Sequence, residues 1–145
     1  MQREYLSYAI GTLLERVGRQ IQTTCFTDDL PPVQWSTLRC LAQNSANRIT
    51  VTSIAAYSGV AQSSASRTVS ALVKKGLVSV DGERASDRSR RLALTVEGWR
   101  LMEHDPLMGI VETVATLPQV QKAALHDSLH MLLNRLYERG NTERD

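Results

Sequence analysis

The chain has 145 residues, of which 42% are hydrophobic and 22% charged, with a net charge of +2. Such a composition is ordinary for a globular protein, and the length suits one compact domain or one domain with dimerisation arms. No run of about 18 apolar residues occurs, so the sequence predicts no membrane-spanning helix.

The first stretch, MQREYLSYAIGTLLERVGRQ, threads Glu4 and Glu15 through its apolar positions and lacks a signal-peptide layout. The cytoplasm is therefore the expected compartment. Cys25 and Cys40 are too few for a disulfide framework, which fits reducing surroundings. Residues 3–25 predict a long amphipathic helix, because Leu6, Ile10, Leu13, Leu14, Val17, Ile21 and Cys25 recur every three or four positions. Asp28, Asp29 and the Pro31–Pro32 pair end it. A second helix over 33–44 turns Trp35, Leu38, Leu41 and Ala42 inward. After a loop at Asn44–Asn47, RITV reads as a short extended stretch. A helix over 52–58 follows, with Ile54 and Ala55 inward and Gly59 as a C-cap able to take positive φ.

The segment GVAQSSASRTVSALVKKGLV, residues 59–78, predicts a helix over 62–75 stopped by Gly76. At roughly 100° per residue, Ala65, Val69, Leu72 and Val73 share one face. Ser63, Arg67, Ser70 and Lys74 share the other, with Ser64 flanking. LVSVD and RLALT alternate as strands on either side of GERASDRS, a long basic tip. Thr95 is placed to cap a helix from Val96 that carries Trp99, Met102, Ile110 and Val114. Pro106 should kink or split that helix. Pro118 suits the first turn of a last helix, whose Leu125, Leu129, Leu132, Leu133 and Leu136 make a broad apolar face.

The expected fold class is mostly α, an α+β winged helix. A helix-turn-helix and two-stranded wing over 33–95 would form a DNA-binding region. Residues 1–30 and 96–145 would supply long dimerisation helices, because their apolar faces call for a second copy and a symmetric homodimer.

Charge is uneven along the chain. Residues 48–91 hold eight Lys/Arg against three Asp/Glu, so they carry +5 and the remainder −3. A basic centre between acidic-leaning ends suggests a polyanion partner. Four serines among Ser63–Ser70 are unexpected in a helix that only packs, since serine is a mediocre helix former. They make sense in a helix with one face on its domain and the other on double-stranded DNA. Arg67, opposite the packing face, can reach guanine O6 and N7 with two bonds. Ser63, Ser64 and Ser66 lie in the first turns, where hydroxyls and the positive helix end favour phosphate. Lys74 would reach the backbone further along, and Gln62 could read adenine or contact phosphate. In the wing, Arg84, Arg88, Arg90 and Arg91 crowd a tip where like charges need an anion, and an arginine there is sized for a minor groove.

ITVTSIAAYSGVAQSSASRTVSALVKKGLV followed by DRSRRLALTVEG resembles the MarR family of winged-helix transcriptional regulators. PPVQWSTLRCLA is similar to that family's second helix, and LALTVEG to its junction after the wing. The resemblance implies a triangular homodimer on pseudo-palindromic operators. It places the Arg67 helix in the major groove and Arg88–Arg91 at the flanking minor groove. Most members repress until a small phenolic or lipophilic ligand, or an oxidant, releases them. Two positions depart from the family pattern. Ala61 stands where Ser or Thr is usual, so the recognition helix would be capped by Ser63 or water. Asp87 falls one place later than the family's wing acid, which favours Arg88 and Arg90 for groove insertion and lets Arg91 pair within the hairpin.

Other chemistry weighs less. Cys25 and Cys40 invite a redox-switch reading, but Cys25 follows the apolar stripe and buried thiols react poorly. His126 and His130 stand one helical turn apart, as a metal pair would. Only His104 exists besides, so they read as a polar flank and no metal or cofactor is expected. Tyr5, Tyr8, Trp35, Tyr57 and Trp99 could line a small-molecule effector pocket, although core or interface roles are commoner. No Gly-rich phosphate loop or Ser/His/Asp arrangement points to an enzyme. The competing function is a winged-helix module that binds an acidic protein without specific DNA recognition.

Overall fold

The computed structural model describes residues 2–27, 29–81 and 90–142. The chain forms two compact units, Met1–Leu107 and Met108–Asp145. The first contains α1 (Gln2–Thr24), α2 (Pro32–Gln43), α3 (Val51–Ser58), α4 (Gln62–Lys74), β1 (Val78–Asp81), β2 (Arg91–Leu94) and α5 (Val96–Met102). The second contains α6 (Met108–Ala115) and α7 (Gln119–Thr142). The sequence-derived order of helices and strands is the observed one, and the fold is an α+β winged helix.

Local chemistry sets most of the boundaries. Proline opens α2, where a missing N–H costs nothing. Thr50 and Ser53 form a reciprocal capping box at the start of α3, and Gly59 ends that helix at φ 63°. Gly76, at φ 73°, turns the chain from α4 into the wing. The Thr95 hydroxyl accepts the Gly98 N–H at 3.0 Å and donates to the Gly76 carbonyl at 2.6 Å, so one side chain caps α5 and braces the turn before β1. Pro106 does split the helix that starts at Val96: α5 stops at Met102 and α6 begins at Met108. Pro118 lies just before α7 rather than in its first turn, and its carbonyl accepts the Lys122 N–H.

The core of the first unit joins Trp35, Leu38 and Leu41 of α2, Ile54 of α3, and Ala65, Val69 and Leu72 of α4 to Leu77, Val78 and Leu92. β1 and β2 pair antiparallel from Val78 opposite Leu94 to Asp81 opposite Arg91. The RITV stretch is extended through Thr50. The Leu92 N–H donates to the Ile49 carbonyl at 2.8 Å, while Val51 already opens α3. Val73 departs from expectation. It is 39% exposed, because the buried arc of α4 is the narrow row Ala65, Val69 and Leu72.

In the second unit α6 closes with Thr116, whose hydroxyl donates to the Thr113 carbonyl at 2.7 Å. The long α7 carries Leu125, Leu129, Leu132, Leu133 and Leu136 exposed along one side. α1 is likewise exposed at Leu6, Ile10, Leu13 and Val17.

Candidate nucleic-acid interface

α4 stands on a buried underside and turns Ser63, Ser66, Arg67, Ser70 and Lys74 to solvent, with Ser64 half-buried beside them. The predicted division of the helix into two faces holds everywhere except at Val73. The Arg67 guanidinium lies 3.4 Å from the Ser64 hydroxyl, a long contact within one helical turn that leaves the side chain on the outer surface. Thr68 bonds back to the Ser64 carbonyl at 3.0 Å and stays out of the exposed row.

The start of α4 differs from expectation. Ala61 occupies the N-cap with extended backbone, and no side chain caps the helix, Ser63 included. Ala61 has no oxygen to offer, and Ser63 already lies inside the first turn, past the position from which a hydroxyl reaches back to the free N–H groups. Gln62 instead bridges to α3, where its amide donates to the Thr52 hydroxyl at 3.2 Å. At the other end the two adjacent lysines part company. Lys75 donates to the Asp29 carbonyl and to Gln34 Oε1 at 2.9 Å, tying the end of α4 to the α1–α2 connection and to the first turn of α2. Lys74 alone of the two joins the exposed cationic face.

Beside α4 lies a concavity of about 320 Å³ that brings Ser66, Ser70, Val73 and Lys74 together with Val80 of β1 and Arg90 just before β2. Arg90 is thus half-buried against the helix. Arg91 is exposed and stands opposite Asp81 in the strand register. Arg84 and Arg88 lie outside the described residues, as does Asp87.

Sequence reasoning missed the strongest electrostatic feature of the unit. Arg39 donates twice to the Asp105 carboxylate, at 2.5 and 2.8 Å, and its guanidinium lies 5.8 Å from the centre of the Trp35 ring. The same guanidinium reaches the Cys25 sulfur at 3.7 Å. Burial by itself would raise the Asp105 carboxyl, but the Arg39 hydrogen bonds, the Leu107 N–H and the guanidinium charge outweigh it. They hold the group below the usual carboxylate range. For Arg39, burial pulls down while Asp105 pulls up, and the pair leaves the guanidinium above its ordinary value. Cys25 belongs to this cluster rather than to the α1 stripe. It lies one residue past the helix and is buried, whereas the stripe's leucines are exposed. A basic neighbour was invisible because Arg39 is fourteen positions away. Cys40 is also buried, which pushes its thiol up and makes it less reactive.

The aromatic residues do not converge. Trp35 is core, with its indole N–H on Thr27 Oγ1 at 3.2 Å, while Tyr5, Tyr8, Tyr57 and Trp99 are exposed. Among the described residues no group of three or more His, Cys, Asp or Glu could hold a metal, and no helix is long and apolar enough to cross a membrane.

A helix-turn-helix whose second helix stands exposed on a buried base, followed by a two-stranded hairpin packed beside it, defines a winged helix-turn-helix protein. A family model described as the MarR family matches residues 28–91, which run from before α2 to the start of β2. Over those residues the chain is similar to the MarR family. Solved structures agree over most of the chain. A MarR family transcriptional regulator from Silicibacter pomeroyi DSS is 25% identical with a TM-score of 0.67, covering 90% of this chain and 88% of that one. A MepR–DNA complex from Staphylococcus aureus is similar in fold at 20% identity and a TM-score of 0.67, covering 90% and 95%. Staphylococcus aureus MarR in complex with salicylate and kanamycin is similar at 18% identity and a TM-score of 0.69, covering 95% and 94%. No curated protein matches the chain.

Proposed function

We propose that the chain is a sequence-specific, double-stranded-DNA-binding transcriptional regulator, a repressor that acts as a homodimer on pseudo-palindromic operators and is released by a small ligand. The observation that carries this reading is the outward row Ser63, Ser66, Arg67, Ser70 and Lys74 on a helix anchored by Ala65, Val69 and Leu72. Hydroxyls and cations held rigid on an exposed helix match base edges and phosphates, and a basic hairpin beside the helix adds contacts outside the major groove. The similarity in fold to a MepR–DNA complex supports the DNA partner, and the similarity to MarR with salicylate supports an effector.

In this reading residues 33–95 bind DNA, and residues 1–30 and 96–145 dimerise. Arg67 reads bases. Ser63, Ser64, Ser66, Ser70 and Lys74 hold the strand, and Gln62 sets the helix against α3. Arg88, Arg90 and Arg91 act from the wing side. The exposed leucines of α1 and α7 support the dimer, since apolar rows of that length are normally covered by a second copy.

Mobility shifts across a salt series provide the test. Arg67→Ala should cost about 1–3 kcal/mol on the selected operator and relax its sequence preference. Arg90→Ala should weaken all duplexes alike and reduce the salt slope by about one. A selection from random duplexes that returns no consensus would overturn the reading and favour the protein-binding module.

A further inference from the structure

We propose that His126 and His130 of α7 form a binding site for a borderline transition-metal ion of the zinc class. Their spacing puts both side chains on one side of the helix, a turn apart. The structure adds two facts that spacing cannot supply. First, the ring centres lie 4.6 Å apart with the planes tilted by 56°. If two imidazoles share one ion, each nitrogen lies about 2.1 Å from it and each ring centre roughly 1.1 Å further back. Bond angles of roughly 90–110° at the ion then separate the centres by about 4.5–5.2 Å. The observed separation falls inside that window, so the spacing of the two rings suits one shared ion.

Second, His126 Nδ1 lies 3.1 Å from Asp127 Oδ1. A carboxylate only accepts, so Nδ1 carries the proton and the lone pair is left on Nε2. A carboxylate behind a histidine is the usual means of fixing a ligand's tautomer and raising its basicity. A polar flank of a helix needs neither feature. Both histidines are exposed, and imidazole suits Zn2+, Ni2+ and Cu2+ better than hard cations. Among the described residues no third protein ligand joins them, so water completes the coordination sphere and the site stays open. The pair lies beside the Leu125 and Leu129 row, and the proposal does not depend on DNA binding.

The test is a Zn2+ titration of the full chain at neutral pH, followed by calorimetry and by the histidine ring resonances. Saturable binding should shift the His126 and His130 signals and leave His104 in place. His126→Ala and His130→Ala should each weaken binding about tenfold or more, and Asp127→Asn should weaken it about 10- to 100-fold. All three positions are exposed, so unchanged circular dichroism and Tm are expected. Buried Cys25 and Cys40 leave no thiol to compete. Absence of saturation, or wild-type affinity in either alanine variant, would overturn the proposal. So would an affinity that follows His104→Ala.

Discussion

Arg39 and Asp105 are 66 positions apart, yet they form a charge pair at 2.5 Å with 12% and 8% of their side chains exposed. Taking one partner from such a pair leaves the other charged and buried. Asp105→Ala should therefore destabilise the chain by about 3–5 kcal/mol, measured by urea unfolding. The pair also carries a pH signature. Because the folded carboxyl titrates below its unfolded value of about 3.9, its contribution is complete above that value and is lost as pH falls through the lower folded one. Tm measured down an acid series should fall more steeply in the wild type than in Asp105→Asn; parallel curves would remove Asp105 from the acid response. Arg67 presents the opposite case, a cation on the outer surface. Substituting it should change the free energy of unfolding by no more than about 0.5 kcal/mol while changing DNA affinity. Its outward placement could be read from helical period alone. The Arg39–Asp105 pair could not, since Arg39 sits between buried Leu38 and Cys40 and nothing local marks Asp105 as its partner.

At the scale of elements, the helix ends offer the sharpest tests. α4 starts at Ala61 with no side-chain cap, so Ala61→Ser should add about 0.5–2 kcal/mol by satisfying a free N–H of the first turn. Thermal melts of the two forms would settle it, and an unchanged Tm would mean that water already serves as well. Gly98 in α5 is constrained differently. A Cβ placed there would collide with the backbone carbonyl of Leu77, which cannot swing aside as a side-chain tip would. Gly98→Ala should lower Tm even though alanine is the better helix former, with packing outweighing a propensity gain of about 1 kcal/mol. Elements were the most legible level of this fold. Gly59, Gly76, Pro106 and the capping of α5 by Thr95 each act within a few residues of their own position, so the sequence already contains their effect. Where legibility failed, as at Val73, the buried arc of the helix proved narrower than the local period suggests.

For the whole molecule, the exposed rows of α1 and α7 are the dominant unsatisfied feature. If they bury themselves in a homodimer, Leu132→Glu should shift the mass in sedimentation from two chains to one and weaken operator binding in parallel. A wild-type chain that sediments as a monomer at micromolar concentration would defeat the dimer outright. Helix and strand order, the two faces of α4 and the apolar rows were all written in the linear order of residues. They depend on capping, turn chemistry and periodicity, interactions that reach four residues or fewer. The ion pair that draws in Cys25, the diversion of Lys75 from the cationic face to Asp29 and Gln34, and the half-burial of Arg90 against α4 emerged with folding. Each joins residues from separate elements, and which side chains meet across such distances is set by how helices and strands pack, for which a linear pattern carries no coordinate.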